Sequence, residues 1–168
     1  MSARLLLLGS PVGPLLAGYA SDGVRSLRFW RQGEHPPAGT RDRTERGDAL
    51  GAQLVRELEE YFSGARVEFD LPLLAAGTEF QRRVWKALRR IPCGETRSYA
   101  GVAAELGIPG AARAVGQANA RNPIPVVVPC HRVLAANGGL GGYLGDWDAG
   151  EGVRIKRWLL THEGAPVR

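Results

Sequence analysis

The sequence predicts an α+β protein in two parts, and three observations carry that reading. Short apolar segments separated by turn residues open the chain, the charge and pattern change near residue 78, and a helix-turn-helix spacing then leads into an apolar stretch that ends on a cysteine and a histidine. The boundaries that follow are residues 1–77 for a small β-sheet domain with one helix, and residues 78–168 for a mostly helical domain.

In the first part, "RLLLLGSPVGPLLAGYASDGVRSLRFW" alternates apolar runs with turn signals at Ser10-Pro11, Gly13-Pro14 and Asp22-Gly23, the pattern of a β-hairpin or meander. The polar stretch 32–47 has no periodicity and reads as an exposed loop. In "DALGAQLVRELEEYFSG", Leu50, Leu54, Leu58 and Tyr61 recur at helical spacing until Gly64 stops them. "VEFDLPL" reads as one more strand.

In the second part, Thr78 is an N-cap for "EFQRRVWKALRRI", where Phe80, Val84, Trp85, Leu88 and Ile91 make an apolar face with the arginines largely opposite. A helix from about Ser98 to Leu106 is ended by Gly107, and after a short connection "AARAVGQANARN" makes another. Helix, tight turn and helix is the helix-turn-helix arrangement. The second of these helices is poor in bulk: Ala111, Ala112, Ala114, Gly116, Ala118 and Ala120 leave Arg113, Gln117, Asn119 and Arg121 as its polar groups. Residues this small suit close approach to a groove and close helix packing equally well.

Composition narrows the function classes. Residues 1–77 hold nine Lys/Arg against ten Asp/Glu, whereas residues 78–168 hold thirteen against seven. The basic excess therefore belongs to the helical part and points to a polyanion partner, because phosphate binding releases counterions. No apolar run approaches the roughly 20 residues of a membrane span, and the first residues lack the form of a signal peptide, so a cytoplasmic protein is expected. Two cysteines without a CxxC or a His/Cys cluster imply neither a disulfide framework nor a metal site.

The chemistry concentrates in "NPIPVVVPCHRV". Pro129 ends an apolar, strand-like run, so the Cys130 thiol is expected where a strand emerges from the core, with Arg132 nearby to favour thiolate. Neighbouring side chains on an extended chain point to opposite faces, so His131 is expected to reach the thiol through a bridging water. A base of this kind needs an orienting acceptor. Glu163, Asp146, Asp148 and Glu151 are all candidates.

The combination "RAVGQANARNPIPVVVPCHRV", "GYLG" and "KRWLLTHEG" resembles the O6-alkylguanine-DNA alkyltransferases, also called methylated-DNA–protein-cysteine methyltransferases. The resemblance is densest from Thr78 to Gly164 and weaker before it. It implies a ribonuclease H-like N-terminal domain and a winged-helix-like C-terminal domain. It also implies irreversible, stoichiometric transfer of an alkyl group from O6 of guanine to Cys130, with O4 of thymine as a second candidate donor. His131 becomes the water-mediated base, Glu163 its acceptor, Asn122 a brace of the hinge between helix and active-site segment, and Tyr99 a proton donor near the flipped nucleotide. Arg113 matches an arginine finger. With Ala112, Gln117, Asn119 and Arg121 it would lie in the minor groove of duplex DNA. Val133, Tyr143 and Gly145 would line the alkylguanine pocket. No cofactor or metal is implied, a monomer suits a stoichiometric repair protein, and the implied partner is double-stranded DNA carrying O6-alkylguanine.

The chain departs from the family pattern in two places. About six extra residues lie around Asp146–Gly152, in a loop that borders the pocket, and an acidic insert there would oppose phosphate approach unless it folds away. Ala120 stands where some relatives carry a basic DNA contact. Competing readings are an alkyltransferase-like lesion binder, which lacks the acceptor cysteine, a sequence-reading helix-turn-helix regulator, and a cysteine hydrolase.

Overall fold

The computed structural model describes residues 3–31, 33–42, 44, 48–146 and 150–167. The chain divides into two compact units, Met1–Ala76 and Gly77–Arg168.

In the first unit the expected meander forms. Strands β1 (Arg4–Leu8), β2 (Leu15–Ala20) and β3 (Gly23–Phe29) pair antiparallel in sequence order, and β4 (Thr40–Arg41) adds to β1 in parallel. A two-residue strand thus lies inside the segment expected to be loop. Helix α1 (Ala49–Phe62) starts at Asp48, whose carboxylate accepts from Gly51 N at 3.0 Å and from the Tyr19 hydroxyl at 2.6 Å, with Arg4 at 2.9 Å. Burial, together with the Asp48 hydrogen bond, pushes the Tyr19 hydroxyl up to about 12. The unit's core joins Leu6, Leu15 and Leu27 of the sheet with Leu54, Leu58 and Tyr61 of α1.

The strand expected at "VEFDLPL" is not formed. The backbone there finds other partners: Asp70 N donates to Glu57 Oε2 at 2.8 Å, Asp70 O accepts from Gln53 Nε2 at 3.0 Å, and Pro72 has no N–H to give. Among the described residues, an isolated bridge of Leu73 with Val24, with Val24 N donating to Pro72 O at 2.8 Å and Leu74 N to Val24 O at 2.8 Å, joins this segment to the sheet.

The second unit begins with α2 (Glu79–Leu88), where Thr78 and Gln81 form a complete capping box. Strand β5 (Arg97–Ser98) leads into α3 (Tyr99–Glu105), which Ser98 caps through Gly101 N at 3.0 Å. Gly107 and Gly110, both at positive φ, turn the chain into α4 (Ala112–Ala120). The Trp85 indole donates to Ala118 O at 2.8 Å, so α2 holds the C-terminal end of α4. Strand β6 (Val133–Leu134) pairs in parallel with β5, and α5 (Glu151–His162) closes the unit over Leu134, Leu140, Val153 and Leu160.

The apolar run before Cys130 is not a strand. Pro123, Pro125 and Pro129 supply no N–H, so the segment cannot carry a ladder. It folds back on itself instead, with Val128 N donating to Ile124 O at 2.9 Å and Val126 held at φ 75°. Cys130–Arg132 then form a single 3₁₀ turn, in which successive side chains diverge by about 120° rather than facing opposite ways.

Candidate active site at the Cys130 turn

Cys130 is 4% exposed and forms part of the wall of a cavity of about 630 Å³ whose other walls include Tyr99, Arg113, Asn119, Asn122 and Tyr143. The thiol's Sγ lies 3.9 Å from the Tyr143 hydroxyl. Burial pushes the thiol up, while Asn122, Tyr143 and the positive charge of Lys156 pull the other way.

Behind the thiol, His131 is fully buried and its Nε2 lies 2.8 Å from Glu163 Oε1. An ionised carboxylate can only accept, so Nε2 carries the proton and Nδ1 presents a lone pair. Nδ1 has no hydrogen-bond partner within the protein. Burial lowers the imidazole's proton affinity, and the Glu163 carboxylate opposes that. For Glu163 itself, burial would raise the carboxyl, but hydrogen bonds from His131 and Arg132 hold it well below the usual carboxylate range. Of the four acceptors open to the sequence, Glu163 is the one against His131, and Asp148 lies outside the described residues.

Two cations complete the centre: Arg132, expected to favour the thiolate but paired with Glu163 instead, and Lys156, which the sequence reading did not single out. Arg132, 5% exposed, reaches Glu163 through Nε and Nη2, both at 2.9 Å, and donates from Nη1 to Ile91 O at 2.6 Å. Lys156, fully buried, donates from Nζ to Val133 O at 2.7 Å and Leu140 O at 2.5 Å. Burial lowers its ammonium to about 8, against a countering pull from Cys130. The signal for Lys156 was available: it sits at helical spacing with Val153, Leu159 and Leu160, so the pattern that makes α5 amphipathic also buries this lysine.

The other expected residues sort by position. Tyr99 lies along the cavity: a Cβ added at Gly116 of α4 would stand 3.7 Å from its ring, and one at Gly141 3.8 Å from its hydroxyl. Burial raises that hydroxyl, as does the neighbouring Cys130, so it stays protonated near neutrality. Asn122 does brace the turn, donating to Val128 O at 2.8 Å and accepting from Ile124 N at 3.0 Å. Arg113 and Gln117 are exposed on α4 at the cavity, Ala112 and Gly145 also line it, and Arg121 is exposed at the end of the helix.

Two expectations change. Asn119, grouped with the exposed polar groups of α4, is 6% exposed and turned inward, where its Nδ2 donates to Cys130 O at 3.3 Å. It falls on the packed side of the helix with Val115 and Ala118. Val133, expected on the pocket wall, is fully buried in β6 away from the cavity lining, and its carbonyl serves Lys156.

The segment after Tyr143 starts with a tight turn. Tyr143 and Asp146 exchange both backbone hydrogen bonds, at 2.9 and 3.0 Å, and the two residues between them, Leu144 (φ 54°) and Gly145 (φ 85°), are both left-handed, as a type I′ turn requires. Asp146 Oδ2 then accepts from Gly152 N at 2.6 Å, in the first turn of α5. Its charge faces a helix N-terminus, where an anion is stabilised. Trp147 and Asp148 of the insert lie outside the described residues.

The family model for the 6-O-methylguanine DNA methyltransferase DNA-binding domain matches residues 79–165, and that for its ribonuclease-like domain matches residues 6–75. The chain belongs to this family. Among its curated relatives is a methylated-DNA–protein-cysteine methyltransferase of Mycobacterium tuberculosis, 49% identical over 157 residues that span 93% of this chain and 89% of the relative. A constitutive enzyme of the same name from Bacillus subtilis is 44% identical across 92% and 91% of the two chains. Among solved structures, the O6-methylguanine methyltransferase of Mycobacterium tuberculosis superposes with a TM-score of 0.83 at 41% identity, covering 99% of this chain and 97% of that one. The same organism's OGT in complex with DNA gives 0.81 at 42%, with 97% and 95% covered. The two-domain α+β architecture is thus the family's own.

Proposed function

We propose that this chain is a methylated-DNA–[protein]-cysteine S-methyltransferase, which repairs DNA by moving the alkyl group of O6-alkylguanine to Cys130 in one irreversible turnover. The observation that carries the reading is the juxtaposition at one cavity of the Cys130 thiol, backed by the His131–Glu163 pair, with the small-residue face and Arg113 of α4. The close relatives' names support it.

In this reaction the thiol proton passes through a water to Nδ1 of His131, whose imidazolium is stabilised by Glu163. The thiolate displaces the O6–C bond at the alkyl carbon, forming a thioether and leaving the electron pair on the guanine. Tyr99 supplies a proton to the guanine ring, so the leaving group departs neutral, and the histidine's proton restores the tyrosine through solvent. A soft sulfur nucleophile suits an sp3 carbon, and a buried thiol that ionises only when its base is engaged is protected from idle oxidation. Lys156 ties the carbonyls of Val133 and Leu140 together, and its charge favours the thiolate.

Duplex DNA is the partner. The α4 helix enters the minor groove, Arg113 fills the space left by the flipped nucleotide, and phosphate contacts rather than base-edge readout suit repair at any sequence. Gln117 and Arg121 lie on the same exposed side as Arg113, Ala112 permits close approach, and Tyr143 and Gly145 bound the alkyl pocket. Residues 1–77 form the ribonuclease H-like domain and residues 78–168 carry binding and transfer. The protein acts as a cytoplasmic monomer.

Intact-protein mass after incubation with a duplex containing O6-methylguanine tests the proposal. A gain equal to one CH2, located on Cys130 and abolished in Cys130→Ser, is the expected result. A tight complex with no mass gain would assign the chain to lesion binding instead.

A further inference from the structure

Helix α2 presents a face that alkyl transfer does not use. Arg82, Arg83, Lys86, Arg89 and Arg90 are all exposed. At 3.6 residues per turn they share one side of the helix and its C-cap, opposite the buried Val84, Trp85, Ala87 and Leu88. Those buried residues serve the contacts of α2 with α3, α4 and the Cys130 turn, so the cations are turned away from α4.

Glu79 is the single acid of α2 on that side. Arg82 and Arg83 each give an N–H to a carbonyl, of Gly77 at 2.5 Å and of Leu106 at 3.2 Å, which orients them without neutralising them. Among the described residues no ion pair joins any of the five. The helix dipole gives a reason for Lys86, Arg89 and Arg90, which lie at its negative end. It gives none for Arg82 and Arg83 in the N-terminal half. Residues 82 to 90 extend about 12 Å along the helix, a length over which a DNA duplex offers several phosphates.

We infer that this face is a second duplex-binding surface, which takes the phosphates of another DNA segment while α4 occupies the groove of the first. The inference rests on the proposed reading of α4 as the DNA-binding helix. A protein with two such faces passes from one duplex to another through a bridged intermediate, without first dissociating into solvent. Search would then speed up as DNA becomes denser, which suits a protein that is consumed at its first lesion and must scan everything before it. Duplex DNA is favoured over an acidic protein as occupant because the charge is regularly spaced, carries no apolar residue within it, and lies on a chain whose proposed substrate is itself that polyanion.

The test follows release of the full chain from a fluorescent, unmodified short duplex as unlabelled duplex is added. The release rate of the parent should climb in proportion to competitor concentration, whereas the Lys86→Gln/Arg89→Gln/Arg90→Gln variant should release at a rate independent of competitor. Transfer from O6-methylguanine in a short duplex, without competitor, should stay within about twofold of the parent, as for most surface substitutions, and shows that the variant is folded. A flat release rate in the parent, or undiminished competitor dependence in the variant, overturns the inference. So does a parent whose release is flat while the variant shows a weaker salt dependence on one duplex, since the cations would then touch the same DNA as α4. Failure of the parent to transfer methyl would count against the proposed function instead, because the release measurement uses no lesion.

Discussion

Glu163→Gln separates the chemistry of the centre from its architecture. The carboxylate accepts from His131 at 2.8 Å and twice from Arg132 at 2.9 Å, with both carboxylate and imidazole shielded from solvent. A carboxamide has nearly the same shape and can still accept from Nε2–H, so the histidine tautomer survives. What it removes is the negative charge, leaving the buried guanidinium with Ile91 O and an amide that turns an N–H towards it. Breaking one side of a buried ion pair costs about 3–5 kcal/mol, against about 5–15 kcal/mol of stability for a whole domain. The variant should therefore fold, with a lower urea midpoint at unchanged slope. Its methyl transfer should slow at least ~10-fold, because each unit of proton affinity lost by the imidazole costs about 1.4 kcal/mol.

The pH dependence has a fixed sign. A carboxyl whose folded-state affinity for protons is depressed contributes stability above its unfolded value of 4.5 and loses it as pH falls towards the folded value. The parent should lose stability below about pH 4.5, and Glu163→Gln should flatten that acid limb. Urea titrations from pH 3 to 7 and single-turnover transfer rates at pH 7 measure both effects. A variant within 1 kcal/mol of the parent that also transfers at the parental rate would refute the reasoning.

Two further outcomes follow from named geometry. Leu144→Gly should stabilise the protein by about 1 kcal/mol, because an L-residue at φ 54° carries a backbone penalty that glycine does not; thermal unfolding would show it, and a loss of stability would mean that the half-exposed leucine packs on its surroundings. Asn122→Ala leaves Val128 O and Ile124 N without their side-chain partner, so it should cost about 1–3 kcal/mol in denaturant and slow methyl transfer. Unchanged transfer would mean that the turn holds its shape without the brace.

Local signals in the sequence were faithful where local physics decides the outcome. Thr78 and Gln81 make the capping box of α2 whatever surrounds them, and Gly107 and Gly110 turn the chain because the turn needs left-handed residues. The run before Cys130 was misread for the opposite reason. Val126, Val127 and Val128 have strong strand character, yet three prolines and the Asn122 side chain remove the hydrogen bonds a strand would need. The candidate strand at 67–73 failed similarly, through the side chains of Glu57 and Gln53, which reach it from the preceding helix α1. Within the site, Cys130 and His131 were legible from the Pro-Cys-His-Arg motif, whereas Glu163 was one of four acceptors left open by the residues and stood apart only through the family resemblance. Lys156 was not legible, although the period of α5 placed it inside, and the inward turn of Asn119 depended on which side of a small-residue helix its neighbours cover.

Arg132 joins three stretches of chain: its own turn, the end of α2 through Ile91, and the residue after α5 through Glu163. His131 and Glu163 are thus tied into the closure of the C-terminal unit as well as into the proposed chemistry. Selection for a folded protein would retain them in a descendant that had abandoned repair, and their presence in a sequence is weak testimony about activity. The Cys130 side chain joins no such stretches: it is buried in the cavity wall with the Tyr143 hydroxyl at 3.9 Å and the Asn122 side chain beside it. It is the residue a lineage can exchange at little structural cost, and so the one whose identity distinguishes an enzyme from a protein that only binds.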